Sequence, residues 1–205
     1  MGEPTLLRRV EYAFWLTGAL LVSFCAGAYL EMRVYQAAEN RRLEDALRLR
    51  GPRELPAGRL RSPQPAAGSL VGRLEIPRLK VSAVVLEGSD GGTLRVGLGR
   101  VKGTAEPGEE GNVVVGGHRD TFFRPLRGIR AGDRVTLVTP RGRYGYVVEW
   151  TAVVDPGDRR SLGATAERSL TLVTCFPFRY VGPAPQRFVV RARQVAPDGA
   201  RLTGT

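Results

Sequence analysis

Cys175, His118 and Arg187 are a nucleophile, a proton carrier and a fixed cation, and each falls at the edge of an apolar, β-branched run. The stretch "SLTLVTCFPF", residues 169–178, alternates as a strand. Leu170, Leu172 and Thr174 share one face, and Thr171, Val173 and Cys175 share the other. Pro177 ends the ladder because it has no N–H to donate. The single histidine of the chain, His118, closes "NVVVGGH", and Arg187 opens "QRFVVRA". A thiol is mostly protonated at neutral pH, so a cysteine nucleophile needs a base or proton partner, usually imidazole. Attack on an acyl carbonyl also needs a group to stabilise the oxyanion. Residues at strand ends can converge on one rim of a barrel without disturbing its core. Alone, Cys175 also suits the role of a small buried hydrophobe, and one arginine in an arginine-rich chain says little. Their joint placement points to a covalent cysteine enzyme.

The elements that must position them are short strands. "LVGRLEI", "VSAVVLEG", "NVVVGG", "RVTLVTP", "RYGYVVEWTAVV", "SLTLVTC" and "QRFVVRARQV" are separated by turn signals such as "GSDGG", "AGD", "PRG" and "DPGD". "GGTLRVGLG" reads as a short helical turn. Seven or eight strands with no regular helix between them predict an all-β domain, a closed barrel or a sandwich.

The N-terminal part sets the compartment. "YAFWLTGALLVSFCAGAYL", residues 12–30, is uncharged, flanked by Glu11 and Glu31, and carries Tyr12, Trp15 and Tyr29 near its ends. At about 1.5 Å per residue it nearly spans a hydrocarbon core of about 30 Å. The chain therefore divides into a membrane anchor over 1–31, a helical spacer and Pro/Gly-rich linker over 32–68, a β domain over 69–197 and a tail over 198–205. The spacer, rich in helix formers with mixed charges, is expected to run on as a solvated helix. Arg8 and Arg9 precede the span, whereas Arg33, Arg41, Arg42, Arg48 and Arg50 follow it. That count argues against a cytoplasmic N-terminus, and a long translocated domain overrides it. Cys25 lies inside the span and cannot bridge to Cys175, so Cys175 is a free thiol. The net charge of +11 suits an anionic lipid or an acidic wall polymer. No nucleic-acid-binding motif accompanies it.

The residues also carry a resemblance. "TLVTC" is similar to the TLxTC signature of the sortases, membrane-anchored cysteine transpeptidases. "GTAEPGEEGNVVVGGHRDTFFRPLRGIRAGD", residues 103–133, resembles their histidine block. "TLVTCFPFRYVGPAPQRFVVRA", residues 171–192, resembles their Cys-to-Arg block, most closely that of class D. The resemblance implies the eight-stranded sortase β-barrel. It implies that Cys175 attacks the threonine carbonyl of an LPxT-like C-terminal sorting signal, and that His118 protonates the leaving amine and deprotonates the incoming one. Arg187 would hold substrate carbonyls and the oxyanion. Thr174 would position the oxyanion through its backbone and steady substrate with its side chain. The implied partners are proteins bearing such signals and an amine acceptor, a cell-wall peptide or a pilin lysine. The implied location is the cell membrane, single-pass, with a cytoplasmic N-terminus and an extracytoplasmic catalytic domain. Arg100 stands where many relatives have a second histidine.

Other readings are a hydrolase of the same fold and an idle, membrane-tethered binding barrel. An L,D-transpeptidase is disfavoured because Phe176 follows the cysteine and no His-Gly-Cys cluster is present. Arg119, Asp120 and Asp133 read as turn or salt-bridge residues. Arg191 and Arg193, two residues apart beyond Arg187, share its face by parity and either face solvent or extend the site along the strand. Glu106, Glu109 and Glu110 lack the alternating ligand spacing of a calcium loop. No metal and no cofactor is expected.

Overall fold

The computed structural model describes residues 6–50 and 65–195. The expected tail and most of the expected linker, residues 51–64, lie outside them. Eight strands form one closed barrel: β1 Leu70–Ile76, β2 Val81–Glu87, β3 Leu98–Arg100, β4 Asn112–Gly116, β5 Arg134–Thr139, β6 Gly142–Val154, β7 Ser169–Phe176 and β8 Gln186–Val195. Around the barrel they run β1-β2-β3-β4-β7-β8-β6-β5. The pairs β2/β3 and β4/β7 are parallel, and the rest are antiparallel. The expected all-β domain is thus a barrel. The sequence pattern missed only β3, three residues that follow helix α2, Gly91–Val96, within "GGTLRVGLGR".

Alternation builds the interior. Leu74 and Ile76, Val113 and Val115, Leu170 and Leu172, and Val190 and Ala192 all point inward to one core around Phe123 and Tyr146. Each fully buried Leu, Ile or Val adds roughly 1.5–3 kcal/mol. Inside the same wall Glu87 and Arg100 form a buried ion pair at 2.7 Å. Arg100 Nη1 also donates to the carbonyls of Thr104 and Ala105. Its guanidinium therefore points toward the β3–β4 connection, away from His118.

Helix α1 runs unbroken over Leu6–Arg50 and is long and apolar enough to cross a membrane. Its second half is not the solvated helix that its charges suggest. Tyr35, Gln36, Glu39, Asn40 and Leu43 form a covered stripe at helical spacing, and Leu43 is fully buried. The charges flank that stripe: Glu31 pairs with Arg95 of α2, and Glu44 with Arg73 of β1. Gln36 makes the central contact. Its Oε1 accepts from Val84 N–H at 2.9 Å, and its Nε2 donates to Val96 C=O at 2.6 Å. One side chain thus satisfies a backbone donor of β2 and a backbone acceptor of α2. In barrel order β1 and β2 lie across from β7 and β8, so the helix docks on the wall opposite Cys175.

Replacing Gln36 with Ala leaves both backbone groups without their partner, at a cost of about 1–3 kcal/mol each where burial persists. Gln36→Ala should therefore speed amide exchange over residues 31–49 of the full chain in detergent while the barrel strands keep their protection. Unchanged exchange in the helix would contradict this docking.

Candidate active site

The strand register brings the reactive residues together. In the β7/β8 pair Cys175 lies directly opposite Arg187, and directly opposed residues share a face with Cβ atoms about 4.5–5.5 Å apart. Leu170 and Leu172 point inward, so Cys175, by parity, points outward. On the other side, parallel β4 pairs Gly116 with Val173. His118 stands two residues past Gly116, the same step that separates Cys175 from Val173. The pairing runs on beyond β4, because Gly117 N–H donates to Val173 O at 3.2 Å. All three residues therefore sit on one rim of the barrel, in a row across β4, β7 and β8. His118 is exposed, and Cys175 and Arg187 are half-buried. Cys175 is a free thiol.

The intervening residues hold that row. Thr174 is inward-facing and buried, and its Oγ1 donates to Gly117 O at 2.7 Å. Its hydroxyl is therefore committed to β4 and does not face a substrate on the outer surface, contrary to the side-chain role the resemblance implied. Gly117 has no room for a side chain. A Cβ there would lie 2.5 Å from Leu98 Cδ2 and 2.8 Å from Phe123 Cδ2. Arg187 Nη1 donates to the carbonyls of Gln186 and Ala184 at 3.0 and 3.3 Å.

Arg119, next to His118, spans the gap to the β7–β8 connection. Its guanidinium donates to the carbonyls of Pro177, Tyr180 and Gly182 at 3.2, 2.8 and 3.1 Å, and lies 5.7 Å from the Tyr180 ring centroid. It thus ties the histidine turn to the loop between cysteine and arginine. Phe176, Phe178 and Phe188 pack at centroid distances of 5.3–6.3 Å and support that loop from below. Asp120 is exposed, and among the described residues it makes no hydrogen bond to His118.

The outward face below the row forms a floor. Gly116, Val173 and Val189 make the next level, then Val114, Thr171 and Arg191, then Asn112, Ser169 and Arg193. The β6–β7 connection leaves Val154, opposite Arg187, and enters β7 at Ser169, so it crosses this face. Buried polar groups pin it there. Asn112 Nδ2 donates to Leu162 O and Gly163 O, and Asn112 Oδ1 accepts from Ser169 and Thr171 hydroxyls. Arg191 donates to Ser169 Oγ at 3.2 Å and Ser161 O at 2.8 Å, with its guanidinium 5.6 Å from the Trp150 ring centroid. Arg191 is only 7% exposed, so of the two readings open to it the solvent-facing one fails. Burial pushes its guanidinium below the ordinary arginine value, against the opposing field of Glu149. Sequence reasoning missed this role because parity places Arg191 outward, and only the long connection after β6 hints that something covers it. The connection thus covers the lower levels of this face, and the reactive row with Cys175 stands at the uncovered edge above it.

Because Asn112 uses both its amide groups, Asn112→Ala orphans two hydroxyls and two carbonyls. A loss of roughly 2–5 kcal/mol is expected by chemical denaturation, with faster amide exchange over residues 155–168. A loss under about 0.5 kcal/mol, within the range of ordinary surface changes, would mean that the network does not hold the connection.

Comparison with known proteins agrees with this geometry. The family model described as "Sortase domain" matches residues 74–195. "Sortase D" of Bacillus subtilis (strain 168) is 36% identical over 133 residues, covering 64% of this chain and 67% of the relative. "Sortase A" of Listeria monocytogenes is 27% identical over 111 residues, about half of each chain. The solved structure of a Clostridium perfringens Sortase D5 transpeptidase superimposes with a TM-score of 0.59 at 27% identity, covering 64% of this chain and 82% of that one. With a matching domain over most of the barrel, the same fold and a class D relative, this chain belongs to the sortase family of cysteine transpeptidases.

Proposed function

We propose that Cys175, His118 and Arg187 form the reaction centre of a membrane-anchored transpeptidase that cleaves an LPxT-like C-terminal sorting signal and transfers the protein to an amine. The observation that carries this reading is the direct pairing of Cys175 with Arg187 on the outward face, with exposed His118 one strand over. A donor peptide places its threonine carbonyl at the rim beside Cys175. The Cys175 thiol gives its proton to His118 as the sulfur bonds to that carbonyl carbon, and the oxygen takes up the negative charge beside Arg187 and the backbone of Thr174. The C–N bond then breaks as His118 gives a proton to the departing amine, leaving a thioester. An incoming amine reverses the sequence: His118 takes its proton, the new C–N bond forms, and the C–S bond breaks.

In this reading residues 1–31 anchor the protein once in the cell membrane with the N-terminus cytoplasmic. The catalytic domain, residues 69–197, stands outside, and residues 32–68 join the two. The partners are proteins with LPxT-like signals and an amine acceptor, a cell-wall peptide or a pilin lysine. The test incubates the full chain in detergent with a library of Leu-Pro-x-Thr-like peptides, with and without amines, and reads products by mass. Cleavage with amine adducts is expected. Cleavage that never yields an adduct would make the protein a hydrolase, and no cleavage would leave a binding barrel.

Two variants test the roles. Cys175→Ala should abolish cleavage, and appreciable turnover would sink the mechanism. Arg187→Lys should fall near Arg187→Ala, a loss of roughly 10²–10³ in turnover, because one ammonium cannot reproduce two directed donors. Near-normal turnover for Arg187→Lys would reduce that residue to generic attraction. Topology has its own check: a reporter that works only outside the cytoplasm, fused after Thr205, should be active, and a silent fusion, with activity instead from a reporter that works only inside, would overturn the orientation.

A further inference from the structure

Cys175 and Arg187 face each other across an unbroken β7/β8 ladder, which fixes both. His118 has no such support. The β4/β7 pairing reaches Gly116 and Val173, with one further bond from Gly117 N–H to Val173 O. His118 follows that bond, on chain that has left the sheet. A catalytic base is usually oriented by a third group, and here no carboxylate does it. Among the described residues the imidazole makes no hydrogen bond or ion pair, and Asp120 stands exposed nearby.

The backbone around His118 is held instead from the next residue. Arg119 is half-buried, and its two terminal nitrogens take separate carbonyls of the β7–β8 connection. Nη1 donates to Pro177 O at 3.2 Å, and Nη2 donates to Tyr180 O at 2.8 Å and Gly182 O at 3.1 Å. The Tyr180 ring lies against the same guanidinium, with its centroid at 5.7 Å. Pro177 follows soon after Cys175, and Gly182 stands shortly before Arg187. Phe123 N–H, which donates to His118 O at 3.2 Å, closes the histidine turn only on itself. Among the described residues no other hydrogen bond joins residues 118–123 to residues 177–185. The histidine turn and the connection from cysteine to arginine are therefore bonded to each other through one side chain.

We propose that Arg119 is a positioning residue for acyl transfer: it holds His118 at its working distance from Cys175, in place of an orienting carboxylate. It acts through the backbone of the histidine turn and not on the reacting atoms. This role rests on the transpeptidase reading above and adds to it the means by which the proton carrier is placed. Because the ladder holds Cys175 and Arg187 without Arg119, losing that side chain should displace the histidine alone. A misplacement of about 1 Å is enough to cost roughly 10²-fold in rate. Lysine is no substitute, since one ammonium cannot reach carbonyls that are spread over both guanidinium nitrogens.

The test gives the full chain in detergent two donors with the same acyl peptide, an amide and a phenyl ester. The amide needs His118 to take the thiol proton and to protonate the departing nitrogen. The ester needs neither at a pH of about 9.5, where an ordinary thiol is ionised. There the sulfur bonds to the carbonyl carbon, the C–O bond breaks, and phenolate leaves as the anion. At neutral pH, Arg119→Ala should lower kcat for the amide roughly 30- to 100-fold, with KM within about twofold of wild type. Its ester turnover at high pH should stay within about threefold of wild type. Arg119→Lys should lie near Arg119→Ala on the amide. Amide exchange in Arg119→Ala should rise over residues 118–123 and 177–185, with β7 and β8 still protected. Equal losses on amide and ester would mean general damage to the rim and would overturn the proposal. So would an amide loss under about threefold, or near-normal amide turnover in Arg119→Lys. If Arg119→Ala does not fold, Arg119→Lys carries the same comparison of amide with ester. A wild type that forms no thioester from either donor would instead refute the transpeptidase reading itself.

Discussion

The register of β7 between its two neighbours is the constraint on which the site depends. Because side chains alternate along a strand, a one-residue slip of β7 would turn Cys175 into the core and Thr174 out of it. Three features oppose that slip. Leu170 and Leu172 are buried inside the barrel. The Thr174 hydroxyl is bonded to Gly117 O. Gly117 itself is wedged between Leu98 and Phe123. The same parity that buries the core thus turns the thiol outward beside Arg187, so stability and site geometry come from one choice of register.

The barrel divides its labour by face. Inward positions are apolar, apart from the paired Glu87 and Arg100 and the buried hydroxyls of Thr139 and Thr174. The outward face of β4, β7 and β8 is polar where a connection must be held, at Asn112, Ser169, Thr171 and Arg191, and small or apolar next to the reactive row, at Gly116, Val173 and Val189. Helix α1 takes the far wall, where Gln36 inserts an amide between β2 and α2. The N-terminal helix therefore joins the barrel on the wall away from the reactive row. A docked helix also limits how the barrel can turn about the apolar segment, which a solvated spacer would not do.

Much of this was legible in the sequence because it rests on periodicity. Alternation in "SLTLVTC" predicted which face Cys175 takes, and the strand ends at His118 and Arg187 were visible as breaks in apolar runs. What escaped the sequence depends on distant neighbours. The spacer looked solvated because charges of both signs are interspersed along it, yet Tyr35 and Leu43 fall on one stripe that the barrel covers. The sequence left the exposure of Arg191 open because the connection that covers it lies far back in the chain, after Val154. Strand β3 escaped because three residues are too few to show a period. The hydroxyl of Thr174 was misassigned for the opposite reason: its parity was readable, and the family resemblance outweighed it.

The central claim is that a single outward thiol, opposed by Arg187 and flanked by His118, carries the acyl group. Acid quenching of the full chain during turnover of a donor peptide, followed by mass mapping of the digested protein, addresses it most directly. The account predicts the donor acyl fragment as a thioester on the peptide that contains Cys175, removed when an amine is added before the quench. Product accumulation with no acylated Cys175, or with the acyl group on another residue, would contradict it.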